Sequence, residues 1–495
     1  MIRALALCLI ATSASAEVIF EDRSAALPGH IYAGGWEHFV GGGVAVFDCN
    51  ANGLPDVFAA GGENPALLLR NDGEFNFTPM PAPEMTGVTG AYPIDIDADG
   101  AMDLFVLRVG PNVVLRGDGA CGFTDVTADW GVPMGDHWTT AFTAWWEDDG
   151  KPVMAIGNYV DRANPDGPFE ACDTNEILTP TDGGYTSSDL TPGFCPLSIL
   201  AAHDARGRMT LRLSNDRHYY VRGGSEQMWD IAEQRFLGEA DGWPNVALWG
   251  MGIASRDLTG DGRDEVMLTS MGDQVLQIAQ ADGTYQAAPF SIGTYAQRPH
   301  TGDDGRPSTG WHAEFADVDN DARPDLFIAK GNVEQMPGLA MADPNNLLMQ
   351  QEDGTFTEAA LSAGIATTDR SRGAALADFD GDGRLDLIVV NRRAPLEMYR
   401  NVTEDTGNWL SVALDQSSGN RNAIGAVVVV QSGDLRQSQQ NTIGGGHAGG
   451  KALPLHFGLG DATDVTITVT WPDGTQSTDQ AEVNAPLTLR HPRDR

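Results

Sequence analysis

Apolar residues along this chain come in short runs, most of them bounded by glycine and aspartate. Runs of four to eight residues rich in Val, Leu, Ile and Phe, set between turn residues, predict β-strands rather than helices. Around five positions the runs repeat in one order. A Gly- or Ala-rich strand comes first (GGGVAVF, AYPI, GMGIAS, AEFA, GAALA), and an acidic turn follows it. A second strand comes next (DVFAAGG, DLFVLRVG, EVMLTSM, DLFIAKGN, DLIVVNRR), then a third (LLLRNDG, VVLRGDG, NLLMQQEDG, LEMYRN). A fourth carries aromatic or β-branched residues (FNFTP, FTDVT, TYQAA, FTEAA). Four strands per unit, in units of roughly fifty to sixty residues, predict the blades of a propeller.

Two further units keep the rhythm without the acid. AFTAWWEDDGKPVMAIGNYV, from Ala141, has Trp145 and Val153 at the first and last acidic positions. LAAHDARGRMTLRLSNDRHYYV, from Leu200, has lost them too, which makes the count seven. The seventh unit ends near Asn401 with three strands, while VIFEDRS, Val18 to Ser24, matches a fourth strand with no unit of its own. A ring closed by one blade built from both chain ends accounts for both oddities and leaves no open sheet edge. After Asn401 the texture changes to WLSVALD, AIGAVVVVQ, LPLHFGLG and VTITVTWPDGT, alternating patterns that predict a small β-sandwich.

The acidic turns carry the chemistry. They read DCNANGLPD from Asp48, DIDADGAMD from Asp95, DLTGDGRDE from Asp257, DVDNDARPD from Asp317 and DFDGDGRLD from Asp378. Oxygen side chains stand at positions one, three and five, and a carboxylate at nine; four of the five have glycine at six. A hard cation such as calcium takes six to eight oxygens at about 2.3–2.6 Å, and alternate residues of a tight loop can turn theirs inward. Glycine permits the backbone conformation that closes such a turn.

Charge supports that reading. The net charge is −38, with 69 Asp and Glu against 31 Lys and Arg. Five calcium ions would reduce it to about −28. With no basic stripe, nucleic acid is excluded as a partner. Arg3, the apolar stretch Ala4 to Ala11 and Ala14-Ser15-Ala16 before Glu17 have the form of a secretory signal over residues 1–16. No stretch is long and apolar enough to predict a transmembrane helix. Four cysteines follow the signal, an even number that favours disulfides in an exported chain. Of the three pairings, Cys172 with Cys195 is favoured because they share one loop-rich insertion, which leaves Cys49 with Cys121.

The acidic repeats resemble FG-GAP (VCBS-like) repeats, as in integrin α propellers. The tail resembles the ASPIC/UnbV domain through Asn408-Trp409-Leu410, Asn422-Ala423-Ile424-Gly425-Ala426, His456-Phe457-Gly458-Leu459-Gly460 and Trp471-Pro472-Asp473-Gly474. Together they resemble the cartilage acidic protein family and its bacterial relatives. The resemblance implies an all-β fold: residues 17–404 as a seven-bladed β-propeller with integrin α-like calcium loops, residues 18–24 closing the last blade, and residues 405–495 as the sandwich. It implies structural Ca2+ at about five sites. The side-chain ligands would be Asp48, Asn50, Asn52 and Asp56; Asp95, Asp97, Asp99 and Asp103; Asp257, Thr259, Asp261 and Glu265; Asp317, Asp319, Asp321 and Asp325; and Asp378, Asp380, Asp382 and Asp386. The carbonyls of Leu54, Ala101, Arg263, Arg323 and Arg384 would complete the shells. The first loop, with two carboxylates, is expected to bind most weakly. The chain departs from the family in its two ligand-poor blades, in Ala322 at a glycine position, and in GGGHAGGK at Gly444 to Lys451.

The function these readings favour is a secreted, monomeric binding or adhesion module for an extracellular or cell-surface protein or glycan. The competing class is an exported enzyme with its site in the propeller channel. Segments entering the first strands carry His38, His137, Trp138, Trp249, Trp311 and His312, which could converge on the axis and hold a transition metal or act on a polysaccharide. His447, in its glycine-rich turn, reads as a solvent-facing loop residue.

Overall fold

The computed structural model describes residues 17–164, 171–216, 224–295 and 305–495. The signal segment 1–16 and the Arg217–Val221 end of the fourth unit lie outside the described residues.

The predicted strands form seven four-stranded antiparallel units among the described residues. Their first strands are Val44–Phe47, Val88–Ile94, His137–Trp145, Pro196–His203, Gly250–Arg256, Gly310–Ala316 and Arg370–Ala377. Each packs on the first strand of the next unit, and Arg370–Ala377 packs on Val44–Phe47, so the first strands close a ring. This is a β-propeller. Phe20–Asp22 is the fourth strand of the seventh unit, paired with Glu397–Asn401 through Phe20 opposite Asn401. Burial grades outward: the first and second strands are almost entirely buried, whereas fourth strands such as Phe123–Asp125 keep exposed positions. That grading explains why inner strands read as continuous apolar runs and outer ones do not.

Two sheets follow the ring. Leu455–Gly460, Asn408–Asp415 and Ala485–Arg490 make one; Leu435–Gln440, Val427–Ser432, Asp464–Thr470 and Gln476–Glu482 make the other. Asp464–Thr470 alternates buried and part-exposed positions, as a strand with one face on a core does. That core holds Leu410, Val428, Val430, Phe457, Ile467 and Trp471.

Between these sheets the chain leaves the sandwich and enters the ring. Ile443–Lys451 touches the first strand of every unit. It bridges Ala144 through Ile443, Leu200 through Gly444, Ile253 through Gly446 and Ala91 through Gly449. Lys451 and Ala452 add a short parallel strand beside Val46 and Phe47. The His447 N–H donates to His312 Nδ1 at 3.3 Å, and Lys451 Nζ to the Leu376 carbonyl at 3.0 Å. This corrects the reading of His447 as solvent-facing: it has 0% exposure, with its ring 4.9 Å from that of Trp311. Glycines make the approach possible. An ideal β-carbon on Gly90 would fall 1.5 Å from the Ala448 carbonyl oxygen, and one on Gly43 would fall 1.9 Å from it.

Alanine at Gly90 or Gly43 must therefore push backbone against backbone. Each substitution is expected to cost about 3 kcal/mol in guanidinium unfolding. Gly29→Ala, with nothing within 4 Å of the new carbon, should stay within about 0.5 kcal/mol of the wild type.

Candidate metal centres

Each acidic turn connects the first and second strands of a unit, and one hydrogen-bond scheme recurs. The position-one carboxylate accepts from the amide of position six: Asp48 from Gly53, Asp95 from Gly100, Asp257 from Gly262, Asp317 from Ala322 and Asp378 from Gly383, at 2.7–3.0 Å. The position-five side chain accepts from the amide of position seven, as Asp99 does from Ala101 at 2.9 Å. The position-nine carboxylate accepts from the amide of position two, as Asp56 does from Cys49 at 2.7 Å and Asp386 from Phe379 at 2.9 Å. In four turns its other oxygen accepts an amide from the third strand: Asp56 from Asn71, Asp103 from Gly117, Asp325 from Gln350 and Asp386 from Asn401. Position six requires a left-handed backbone. Gly53, Gly100, Gly262 and Gly383 have φ of 83–91°, and Ala322 adopts 74°.

The turns also join blade to blade, a role the sequence reading did not anticipate. Asn71, at the end of a third strand, donates through Nδ2 to the Phe379 carbonyl of the neighbouring unit's turn at 2.8 Å. Asn401 does the same to the Val318 carbonyl at 2.8 Å. The signal was the amide side chain ending LLLRN and EMYRN.

Three carboxylates converge in the second, fourth and fifth turns. Asp95, Asp97 and Asp99, then Asp317, Asp319 and Asp325, then Asp378, Asp380 and Asp386 each place ligand atoms within 4.8 Å of one another. In the first turn Asp56 instead lies beside Cys49 and Cys121, whose sulfurs are joined in a disulfide and offer no thiolate. Asp48, Asn50 and Asn52 bond mainly to their own loop amides. In the third turn, Thr259 supplies a hydroxyl among Asp257, Asp261 and Glu265.

Arginines stand beside the acids. Arg263, Arg323 and Arg384 pair with Asp261, Asp321 and Asp382, while Arg116 reaches Asp97 at 2.8 Å and Asp99 at 2.6 Å. They leave charge unsatisfied. Burial, with neighbouring carboxylates adding to it, pushes Asp103 and Glu265 up to about 7 and Asp95 and Asp378 up to about 6. Asp95 Oδ1, Glu265 Oε1 and Asp380 Oδ1 are buried without a hydrogen-bond partner among the described residues. All-oxygen donor sets with buried, unpaired oxygens fit a hard divalent cation.

The ligand-poor blades close the same turn by other means. Trp145 and Val153 are buried in one apolar cluster. In the next unit Asp204 accepts from the Arg208 guanidinium at 2.6 and 2.9 Å, an internal cation at the turn.

The acidic turns face the sandwich. Arg436 Nη1 donates to the Gly260 carbonyl at 2.7 Å, His456 Nε2 lies 2.8 Å from Asn320 Oδ1, and the Gly419 amide donates to the Asp149 carbonyl at 3.0 Å. The opposite face bears the residues expected to ring the channel, and they do not meet at one point. Trp138 is fully buried against Phe39 and Tyr159, with Trp249 packed beside that cluster, and His38 is also buried. His137 lies apart, with Nδ1 2.8 Å from Asp173 Oδ2. Only Trp311 and His312 reach the axis, where they contact His447. Burial, with Arg372 and His312 adding to it, holds the His447 imidazole neutral, down to about 3.

Both favoured cysteine pairs form disulfides, Cys49–Cys121 and Cys172–Cys195. Among the described residues no helix is long and apolar enough to cross a membrane.

Fold and turns define a β-propeller with FG-GAP-like repeats joined to an ASPIC/UnbV domain. The FG-GAP-like repeat model matches residues 48–106, 257–328 and 338–389, which contain all five acidic turns, and the ASPIC and UnbV model matches 416–495. Cartilage acidic protein 1 of Homo sapiens is 30% identical over 186 residues, covering 36% of this chain and 28% of that protein. Its Xenopus tropicalis counterpart is 33% identical over 132 residues, covering 25% of this chain and 20% of that one. The matched part thus spans less than a third of these relatives. Among solved structures, BBS1N in complex with ARL6DN has a TM-score of 0.46 at 9% identity, covering 78% of this chain and 97% of that one. YCF48 bound to D1 peptide has a TM-score of 0.43 at 9% identity, covering 79% and 99%. These matches support placing the chain with the cartilage acidic protein-like family.

Ala322 alone among the position-six residues carries a β-carbon in the left-handed region. Ala322→Gly should raise stability by about 0.5–1 kcal/mol in denaturant unfolding.

Proposed function

We propose that this protein is an exported binding module for an extracellular protein or glycan, with calcium in its acidic turns holding the scaffold. The observation that carries the calcium reading is the convergence of three carboxylates, at least one of them buried, in the second, fourth and fifth turns of one design, with Asp95 Oδ1 and Asp380 Oδ1 unpaired. A cation there would relieve the repulsion among them and pull together loops that already tie neighbouring blades. The residues that would hold it are the turn oxygens named above, with the second, fourth and fifth turns strongest.

The binding reading rests on which surface remains free. The sandwich covers the acidic-turn face, so a partner is expected on the other. There Trp36 is 48% exposed, with its ring 4.9 Å from that of Trp138 and 5.7 Å from that of Phe39. An exposed indole on an aromatic base suits a protein side chain or a sugar face. Export is supported by the two disulfides. The channel-centred enzyme has little support, because Ile443–Lys451 occupies the axis on which its histidines were to converge.

The calcium reading has a pH signature. Carboxyls whose folded pKa is raised stabilise the fold fully below their unfolded value near 4 and lose that contribution as pH rises through the folded values of about 6 and 7. In chelator, the melting temperature should therefore fall between pH 4 and pH 7. Calcium, which binds the ionised form, should raise it by several degrees at pH 7 and flatten the slope. Identical curves with chelator and with calcium would exclude a structural calcium role. In a glycan and surface-protein screen, Trp36→Ala should weaken any hit at least tenfold without lowering the melting temperature.

A further inference from the structure

Each unit of the propeller has an outer strand with a free edge, and that of the third unit differs from the rest. Gly184–Leu190 is seven residues long, whereas the outer strands of the other six units have two to four. It pairs with Asn175–Thr181 on one side and, among the described residues, with no strand on the other.

The register fixes which backbone groups face outward. Thr181 and Gly184 stand opposite each other across the two-residue loop Asp182-Gly183, so they exchange hydrogen bonds, and bonded pairs alternate from there. Thr186, Ser188 and Leu190 therefore turn their N–H and C=O groups to Asn175–Thr181, while Tyr185, Ser187 and Asp189 turn theirs to the free edge. The Tyr185 amide obeys this parity: it donates to the Gly131 carbonyl at 3.0 Å. Beyond that contact the edge is open, and Thr186, Ser187, Ser188 and Asp189 are all exposed. An open edge of this kind is a template for an added strand.

Charge selects the strand that would be added. Between Ala171 and Cys195, which include both outer strands, stand Asp173, Glu176, Asp182 and Asp189 and no Lys or Arg. Glu176 lies directly opposite Asp189 on the ladder, a like-charge pair that repels. His137 Nδ1 lies 2.8 Å from Asp173, and its Nε2 lies 3.9 Å from Glu176. Among the described residues no Lys or Arg pairs with Glu176, Asp182 or Asp189. The turn between the first two strands of this unit has Trp145 and Val153 in place of acidic ligands, so a cation bound there would not offset the charge. A second copy of the same edge would set acid against acid. An extended segment with Lys or Arg at alternate positions would instead bring cations to the face of Glu176 and Asp189.

We propose that the outer edge of Gly184–Leu190 is a docking site for an extended basic segment of a partner protein, added to the third unit as a further strand. The surface is distinct from the exposed Trp36 and does not depend on what that residue binds.

The test is fluorescence anisotropy on the full chain in calcium buffer at physiological salt, with the labelled peptide TKTKTKTK as probe. Two counterparts accompany it: TETETETE, which reverses the charge, and TKTKTKTK N-methylated at every residue, which keeps the charge and blocks strand pairing. The basic peptide should bind saturably and at least tenfold more tightly than either. Ser187→Pro removes an outward N–H and no ladder bond, and should reduce the affinity at least tenfold. Asp189→Lys keeps the backbone edge and reverses its charge, and should cause a similar loss. No binding of TKTKTKTK, equal binding of its N-methylated form (attraction to the acidic surface alone), or unchanged affinity in folded Ser187→Pro or folded Asp189→Lys would each overturn the proposal.

Discussion

The architecture turns on a close approach of backbone to backbone. Ile443–Lys451 runs against the innermost strand of every blade, and at Gly43 and Gly90 the separation leaves no room for a β-carbon. Main-chain bonds hold it there: the Gly445 amide donates to the Ile199 carbonyl at 2.8 Å, and Gly446 and Ile253 exchange bonds in both directions. A glycine-rich segment is the natural solution, because a side chain at any of these contacts would force the ring open. In the middle of the segment His447 sits neutral against Trp311, over whose ring Arg372 places its guanidinium at 4.0 Å. Arg372 is itself fully buried and donates to the carbonyls of Phe39, Asn332 and Val333. The channel of this propeller is therefore a core.

From that constraint follows the position of the sandwich, and from its position the double duty of the acidic turns. On their inner side they fix loop amides, and through Asn71 and Asn401 they tie the seventh blade to the first and to the sixth. On their outer side they meet Arg436, His456 and Trp409. The same turn is closed in three ways along one chain: by clustered carboxylates, by the Trp145–Val153 apolar contact, and by the Asp204–Arg208 pair. What the architecture needs at that position is a compact turn; carboxylates are one means of making it.

The strands and turns were legible in the sequence because their signals are local. A run such as DLFVLRVG bounded by turn residues is a strand wherever it lies, and oxygen donors at alternate positions need only their own loop to be read. Trp138, Trp311 and His447 were not legible in that way. GGGHAGGK has the composition of an exposed turn, and nothing in its neighbours says that the ring from Phe20 to Asn401 has built a channel for it. The His and Trp residues before the first strands were read as a possible ring because each lies in a segment entering a first strand. Packing sends Trp138 into an aromatic cluster, and His137 to Asp173.

If the inserted segment makes propeller and sandwich one body, they must unfold together. Differential scanning calorimetry of the full chain in calcium should give a single transition. Gly90→Val, which strains the contact from the propeller side, should lower that transition for both parts, with near-ultraviolet signals of ring and sandwich moving together. Two resolved transitions, with the sandwich melting at an unchanged temperature in Gly90→Val, would contradict the account.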